Sequence, residues 1–289
     1  MRCIFSLAVL AAVASLSPSD AQAARSYDNC TGFITALPAT ITTQGTWCLN
    51  KHLGTGITSG AALTVDAHNV TIDCNDFRIA SQNKTAGNRA SGIVSSSRHN
   101  TTVRNCLVQD YHWGIKLAGL GALVEDNTVS ASNFIGIGVT GDGSVIRGNR
   151  VLDTGGTTYV WNPRAVGIYT SGESEVLGNL VNGVWATAGT NAMAFGINPV
   201  DGLNGSVIDN NIKNVVADGS GEAHGISFYG TTNRISVDSN NVVGTGAANS
   251  IGVYCPASNG VVVVGNVANG FATPAYQCAH IEGNAAYLP

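Results

Sequence analysis

The sequence predicts an all-β solenoid, and two observations carry that prediction. The first is a six-residue pattern, apolar-x-x-Asn-x-apolar. It runs Ile72-Asp73-Cys74-Asn75-Asp76-Phe77 and returns at 124–129, 146–151, 176–181, 207–212, 237–242 and 263–268. Residues 102–107 form a weaker copy, with Thr102 in place of the first aliphatic. Eight asparagines thus share one position: Asn75, Asn105, Asn127, Asn149, Asn179, Asn210, Asn240 and Asn266. The second observation is Gly followed by Ile or Val, at Gly92, Gly114, Gly136, Gly167, Gly196, Gly225 and Gly252, each 12 to 15 residues before the next repeat Asn. A period that shortens to 22 residues, with β-branched runs and Gly/Asn corners, fits stacked β coils. Leucine-rich repeats have similar periods but need several Leu per repeat, which this chain lacks.

The chain in order divides into four parts. Arg2, the apolar segment Ile4 to Leu16 and Ala21-Gln22-Ala23 read as an export signal over 1–23, with the mature chain starting near Ala24. The apolar run is too short for a membrane span, so no membrane association is expected after cleavage. Residues 24–62 lack the repeat and carry Thr-rich segments, Trp47, Cys30 and Cys48. They are expected to cap the first coil, with room for a short helix, because an open solenoid end exposes core and strand edges. Residues 63–269 are the solenoid, of about eight coils. Residues 270–289 leave the repeat and are expected to cap the far end.

Within a coil, the two aliphatics of apolar-x-x-Asn-x-apolar are five apart. A straight strand would put them on opposite faces. A bend at Asn lets both point inward, because Asn tolerates left-handed geometry and its amide can bond neighbouring backbone. Stacked asparagines can also bond one another. The Gly-Ile strand is the third side. Its Ile points in, and the next residue points out, giving the column Val94, Lys116, Gly138, Tyr169, Asn198, Ser227 and Tyr254. Five long segments lead into this strand, at 78–91, 152–166, 182–195, 213–224 and 243–251. All arrive at one corner, and one-sided loops on a repeat protein commonly form its binding face.

Removal of the signal leaves six cysteines, an even number that suits disulfides in an exported chain. Cys74 and Cys106 flank the Asn of neighbouring coils, so stacking brings them together. Cys30 with Cys48 would close the first cap, and Cys255 with Cys278 would tie down the tail. No cysteine or histidine spacing suits a metal site. The net charge of −4, without a Lys/Arg run, argues against nucleic acid. Gly136 to Gly141 matches G-x-G-x-x-G, but the repeat accounts for its glycines and no amphipathic helix follows, so nucleotide binding is rejected.

On these corners and Gly-Ile strands, residues 63–268 resemble the right-handed parallel β-helix proteins of the pectate-lyase-like superfamily. The resemblance implies a single-stranded right-handed parallel β-helix and carbohydrate-active relatives. It also implies a polysaccharide or oligosaccharide partner, bound along the first sheet and its preceding loops, and a lyase or glycosidase acting on uronate-rich glycan. Calcium enters as a cofactor by this resemblance alone. The catalytic pattern departs from the family's. The outward column has no Asp or Glu to hold calcium, and neither the N-T-D nor the G-H-G motif is present. Fold does not fix function, and a non-catalytic glycan-binding or surface-structural β-helix explains the missing carboxylates directly.

Several side chains suit glycan chemistry. His224, near Asp218 and Glu222, could move a proton near neutral pH; the competing reading is a loop histidine bonded to backbone. Lys116 and Tyr169 could abstract a proton in uronate elimination, or be ordinary surface. Arg164 could hold a uronate carboxylate in a bidentate pair. Trp161 and Trp185 in the loops, with Trp113 and Tyr254, could stack on sugar rings, or fold back over the sheet. The functional surface is expected around Tyr169, Asn198 and Ser227, with Trp161, Arg164, Trp185 and His224 reaching in from the loops.

Overall fold

The computed structural model describes residues 27–158, 164–187, 191–255, 260–278 and 280–287. The export signal expected at 1–23 lies outside the described residues, as do 159–163 with Trp161. Three parallel sheets of 10, 11 and 10 strands run the length of the molecule. Each coil gives one strand to each sheet. The first sheet takes the Gly-Ile strands, such as Trp113–Ala118, Ile135–Thr140 and Arg164–Ser171. The second takes Val70–Asp73, Leu123–Glu125, Ser144–Arg147 and their equivalents, and the third Arg78–Ser81, Thr128–Ser130, Leu180–Ala186 and theirs.

Periodicity explains the core. Ile72, Val103, Val124, Ile146 and Val176 stack on the second sheet, Ile79, Val108, Val129, Val151 and Val181 on the third, and Ile93, Ile115, Ile137, Ile168 and Ile197 on the first. Each column holds one aliphatic per coil, so the interior is a single continuous cluster. Gly114 and Ile115 both face it, since a β-carbon on Gly114 would run into Val129. Two successive inward residues kink the strand, which turns the residue before each glycine outward. That position needs glycine because the third-sheet aliphatic occupies the space.

The asparagine ladder is real, but its membership differs from the sequence expectation. Asn149 Oδ1 accepts the backbone and side-chain N–H groups of Asn127 at 3.0 and 2.9 Å, and Asn127 Nδ2 also donates to Val103 O at 2.9 Å. The same triplet repeats through Asn149, Asn179, Asn210, Asn240 and Asn266 to Asn284. Asn75 and Asn105 are not rungs. Val103 pairs with Val124 and Val108 with Val129, so the true copy is Val103 to Val108 and its ladder position holds Cys106. Asn127 Oδ1 accepts the Cys106 N–H at 3.0 Å. The bend also falls one residue earlier than expected. Asp126, Gly148, Gly178, Asp209 and Ser239 carry the positive φ, and the Asn after each is the hydrogen-bonding rung; Asn105 carries it ahead of Cys106.

Both ends hold more coil than expected. Ala39–Ile41, Gly45–Cys48 and Leu53–Thr55 already join the first, second and third sheets, and among the described residues of 24–62 there is no helix. Thr273–Tyr276, His280–Glu282 and Ala285–Tyr287 continue all three sheets at the other end. The molecule therefore winds about ten coils. Disulfides join Cys30 to Cys48, Cys74 to Cys106 and Cys255 to Cys278.

The segments expected as long loops are partly strand. Arg150–Gly155, Leu180–Ala186 and Asn211–Ala217 run on past the third-sheet aliphatic. A left-handed residue in each, Asp153, Gly183 or Asn214, turns the strand inward again. Thr154, Val184 and Val215 then pair in register and are buried.

Candidate functional site

The kink at each Gly-Ile step gives the first sheet two outer columns. One reads Ser91, Trp113, Ile135, Val166, Phe195, His224, Ile251 and Thr273. The other reads Val94, Lys116, Gly138, Tyr169, Asn198, Ser227, Tyr254 and Tyr276. The first column was missed in the sequence, because strict alternation would have placed it inside.

The two columns interlock to form an aromatic ribbon. The Trp113 ring lies over Gly138, where a side chain would otherwise begin. Phe134 and Tyr169 meet Trp113 edge-on at 5.7 and 6.5 Å. Ile135, Val166 and Phe195 form a small apolar cluster beneath Trp113, Tyr169 and Met193. Phe195 then contacts His224 and Tyr229 at 5.4 and 6.2 Å. Tyr254 lies 4.6 Å from His224 and stacks on Tyr276 at 5.6 Å. Trp113, Tyr169 and Tyr254 are half-buried, and Tyr229 and Tyr276 are exposed. Six coil steps of about 4.8 Å separate Trp113 from Tyr276, so the ribbon runs about 29 Å along the axis. Cations flank it: Lys116 Nζ sits 4.8 Å from the Trp113 ring and the Arg164 guanidinium 5.5 Å from Phe195. Both cations are exposed.

The expected site residues divide into three groups. Lys116, Tyr169, Arg164 and Tyr254 share the accessible ribbon. Asn198, Ser227 and His224 lie on the same face but are buried beneath it. Phe195 and Tyr254 flank the His224 ring, and hydrogen bonds tie Ser227 to His224 and Asn198 to Ser227, cross-strand links that a column-by-column sequence reading does not register. Trp185 is elsewhere: it pairs with Gly155 and Val216 on the third sheet.

His224 is closed in on every side. Ser227 Oγ lies 3.1 Å from Nδ1, and Asn198 Nδ2 donates to Ser227 O at 2.7 Å. Glu222 Oε2 approaches Nε2 to 3.2 Å but is not aligned for a hydrogen bond. Burial therefore dominates, lowering the His224 pKa to about 4 and keeping the ring neutral at pH 7. A ring with no solvent contact cannot reach a glycan, so His224 and Ser227 pack the ribbon from below, with Glu222 exposed at its edge.

A stability prediction follows from that pKa. The unfolded histidine titrates near 6.5, so between about pH 6.5 and 4 the unfolded chain binds more protons than the folded one. The stabilising contribution is complete above about pH 6.5 and declines as the pH falls towards 4, by an amount on the order of 3 kcal/mol. His112, also lowered chiefly by burial, shares part of this window. Melting temperatures of the wild type and His224→Phe, compared between pH 7.5 and 4.5, isolate the effect. The variant should show the shallower decline, and parallel curves would refute the assignment.

Among the described residues, no group of three or more His, Cys, Asp or Glu side chains is placed to hold a metal ion.

Fold and face together define a right-handed parallel β-helix with an aromatic outer face on its first sheet. No protein-family model and no curated protein matches the chain. Solved structures similar to it include the Dettilon tailspike protein gp208, at 14% identity and a TM-score of 0.45, over 88% of this chain and 60% of that one. The A-module of the Azotobacter vinelandii mannuronan C-5 epimerase AlgE6 aligns at 13% identity and a TM-score of 0.48, over 84% of each chain. The tailspike protein of E. coli bacteriophage HK620 aligns at 12% and 0.42, over 84% of this chain and 59% of that one. The chain thus spans about three-fifths of the length of either tailspike.

Proposed function

We propose that the protein is an exported polysaccharide-binding β-helix whose glycan lies along the aromatic ribbon of the first sheet. The ribbon carries this reading. It sets a line of partly exposed rings across about seven coils on a rigid sheet, and aromatic faces offer sugars large contact area at low entropic cost. The three disulfides and the apolar N-terminal segment support an oxidising, extracytoplasmic setting. The test is retention of the protein on a panel of linear polysaccharides in native gels. Replacing Tyr254 and Tyr276 by Ala should weaken retention about tenfold or more, at roughly 1 kcal/mol per ring. The melting temperature should hold, since both rings lie outside the coil core. Unchanged retention of every polysaccharide bound by the wild type would refute the placement.

A second reading, a lyase or glycosidase of uronate-rich glycan, draws on Lys116 and Arg164 beside Tyr169. An exposed guanidinium can bind a uronate carboxylate, and Lys116 or Tyr169 could take the proton in elimination. Lys116 and Tyr169 are two coils apart, however, with Gly138 between them, and His224 is sealed off. Binding without turnover is therefore favoured. Incubation with polyuronates should give neither unsaturated products nor new reducing ends, and the appearance of either would favour the enzyme.

A further inference from the structure

A separate groove runs along the flank where the third sheet turns towards the first. It is made of three depressions that share residues. One of 330 Å³ lies beside Arg78 and Lys84. The next, of 250 Å³, shares Lys84 and Asp110 with it. The third, of 280 Å³, shares Asp153 and Gly156 with the second and ends on Trp185. The register runs Gly54, Ala80, Gln109, Ser130, Leu152, Asn182. Five steps of about 4.8 Å make the groove about 24 Å long.

The groove is built, with hydrogen bonds holding its wall. Asn88 Nδ2 donates to Asn83 O at 2.8 Å and to Asp110 O at 3.1 Å, fixing the 82–90 loop. Asn133 Nδ2 donates to Asn88 O at 3.0 Å, and its Oδ1 lies 2.6 Å from His112 Nδ1. Thr158 N–H reaches Ala86 O at 3.3 Å. The floor is a column of left-handed bends at Asp110, Ala131, Asp153 and Gly183. A β-carbon on Gly156 would meet open space, so among the described residues nothing fills the trough there. Asp153 Oδ1 and Trp185 Nε1 lie 2.7 and 2.9 Å from the point where a β-carbon on Gly183 would stand. Carboxylate and indole therefore converge over a residue without a side chain, and Trp185 is 50% exposed.

We infer that this flank groove is a second glycan line, taking a linear neutral oligosaccharide with one ring stacked on Trp185. Asp153 and the Lys84–Asp110 pair, 3.2 Å apart, meet its hydroxyls. An aromatic face at the end of a polar trough is the arrangement that recognises a sugar chain. The two carboxylates, Asp110 and Asp153, disfavour a polyanion in the middle of the groove. The inference rests on the reading of the protein as a polysaccharide binder but assigns a different surface and a different glycan charge.

Calorimetric titration with linear hexasaccharides of glucose, mannose and xylose, and with hexagalacturonate and hexamannuronate, tests it. A neutral hexasaccharide should bind. Trp185→Ala should weaken that binding at least tenfold and Asp153→Asn three- to tenfold, both at an unchanged melting temperature. The Tyr254→Ala/Tyr276→Ala pair should leave it unaltered. Neutral binding that survives Trp185→Ala, or is lost only in the tyrosine pair, overturns the inference while the ribbon reading stands. A wild type that binds hexauronates and no neutral chain has the same meaning. A wild type that binds none of the five overturns the inference, while the ribbon reading stands or falls on the polysaccharide panel.

Discussion

Asn179→Ala should destabilise the coil by roughly 3 kcal/mol or more. Asn179 Oδ1 accepts the Asn149 N–H and Nδ2–H at 2.9 and 3.0 Å, and its Nδ2 donates to Ile146 O and Asn210 Oδ1 at 2.9 and 3.0 Å. The site is buried. Alanine leaves the Asn149 N–H facing a void and removes a donor from Ile146 O. Each orphaned buried group costs about 1–3 kcal/mol. Asn179→Asp should be worse. It keeps the acceptor but sets an oxygen against Ile146 O and Asn210 Oδ1, so the acid must either remain protonated or leave a buried charge unpaired. Because each coil touches only its neighbours, the damage should be local. Hydrogen exchange should speed up in the coils of Asn149, Asn179 and Asn210 before the ends respond. Loss of less than about 1 kcal/mol in the alanine variant would show that the ladder is ornamental.

Removing the Cys74–Cys106 bridge should cost roughly 3–4 kcal/mol, from the chain-entropy relation for a closed loop of this length. The cysteines are 32 residues apart, and both are buried. Cys106 also occupies the first ladder position, so the bridge covalently ends the row of asparagines that Asn127 begins. The double variant Cys74→Ala/Cys106→Ala, chosen to avoid burying hydroxyls, should lower the denaturation midpoint strongly. Its effect should centre on the coils between Val70 and Val129. A midpoint shift no larger than that of a surface substitution would contradict the assignment.

The winding of the chain was legible because aliphatic and asparagine periodicity is itself the fold: every coil repeats the same burial. Detail that depends on one residue of register was not legible. Thr102 to Leu107 looks like a copy because Asn105 stands where the pattern wants Asn. Pairing moves the true copy one residue on and makes Cys106 the rung. Ile281-Glu282-Gly283-Asn284-Ala285-Ala286 matches the pattern, and its final alanine hides it among tail residues. The Asp, Gly or Ser before each ladder Asn was the visible signal for the bend.

The face was harder to read than the fold. Ser227 and Asn198 point away from the core as alternation requires, yet both are buried, Ser227 against His224 and Asn198 bonded to Ser227 O. Such burial depends on cross-strand neighbours 22 to 31 residues away in sequence, as in the register of Trp113, Ile135 and Val166, and no local pattern reports it. Trp185 was assigned to the first-sheet loops because the third-sheet strand was expected to end sooner. Gly183 bends that strand and carries it on, placing the indole over the flank.

The most direct measurement is a crystal structure of the protein soaked with a hexasaccharide of whichever polysaccharide retains it. The polysaccharide-binding account predicts sugar rings along the first sheet, stacked on Tyr254 and Tyr276 and continuing towards Tyr169 and Trp113. Sugar bound only on the second sheet or at the asparagine corners, with the aromatic ribbon bare, would contradict it.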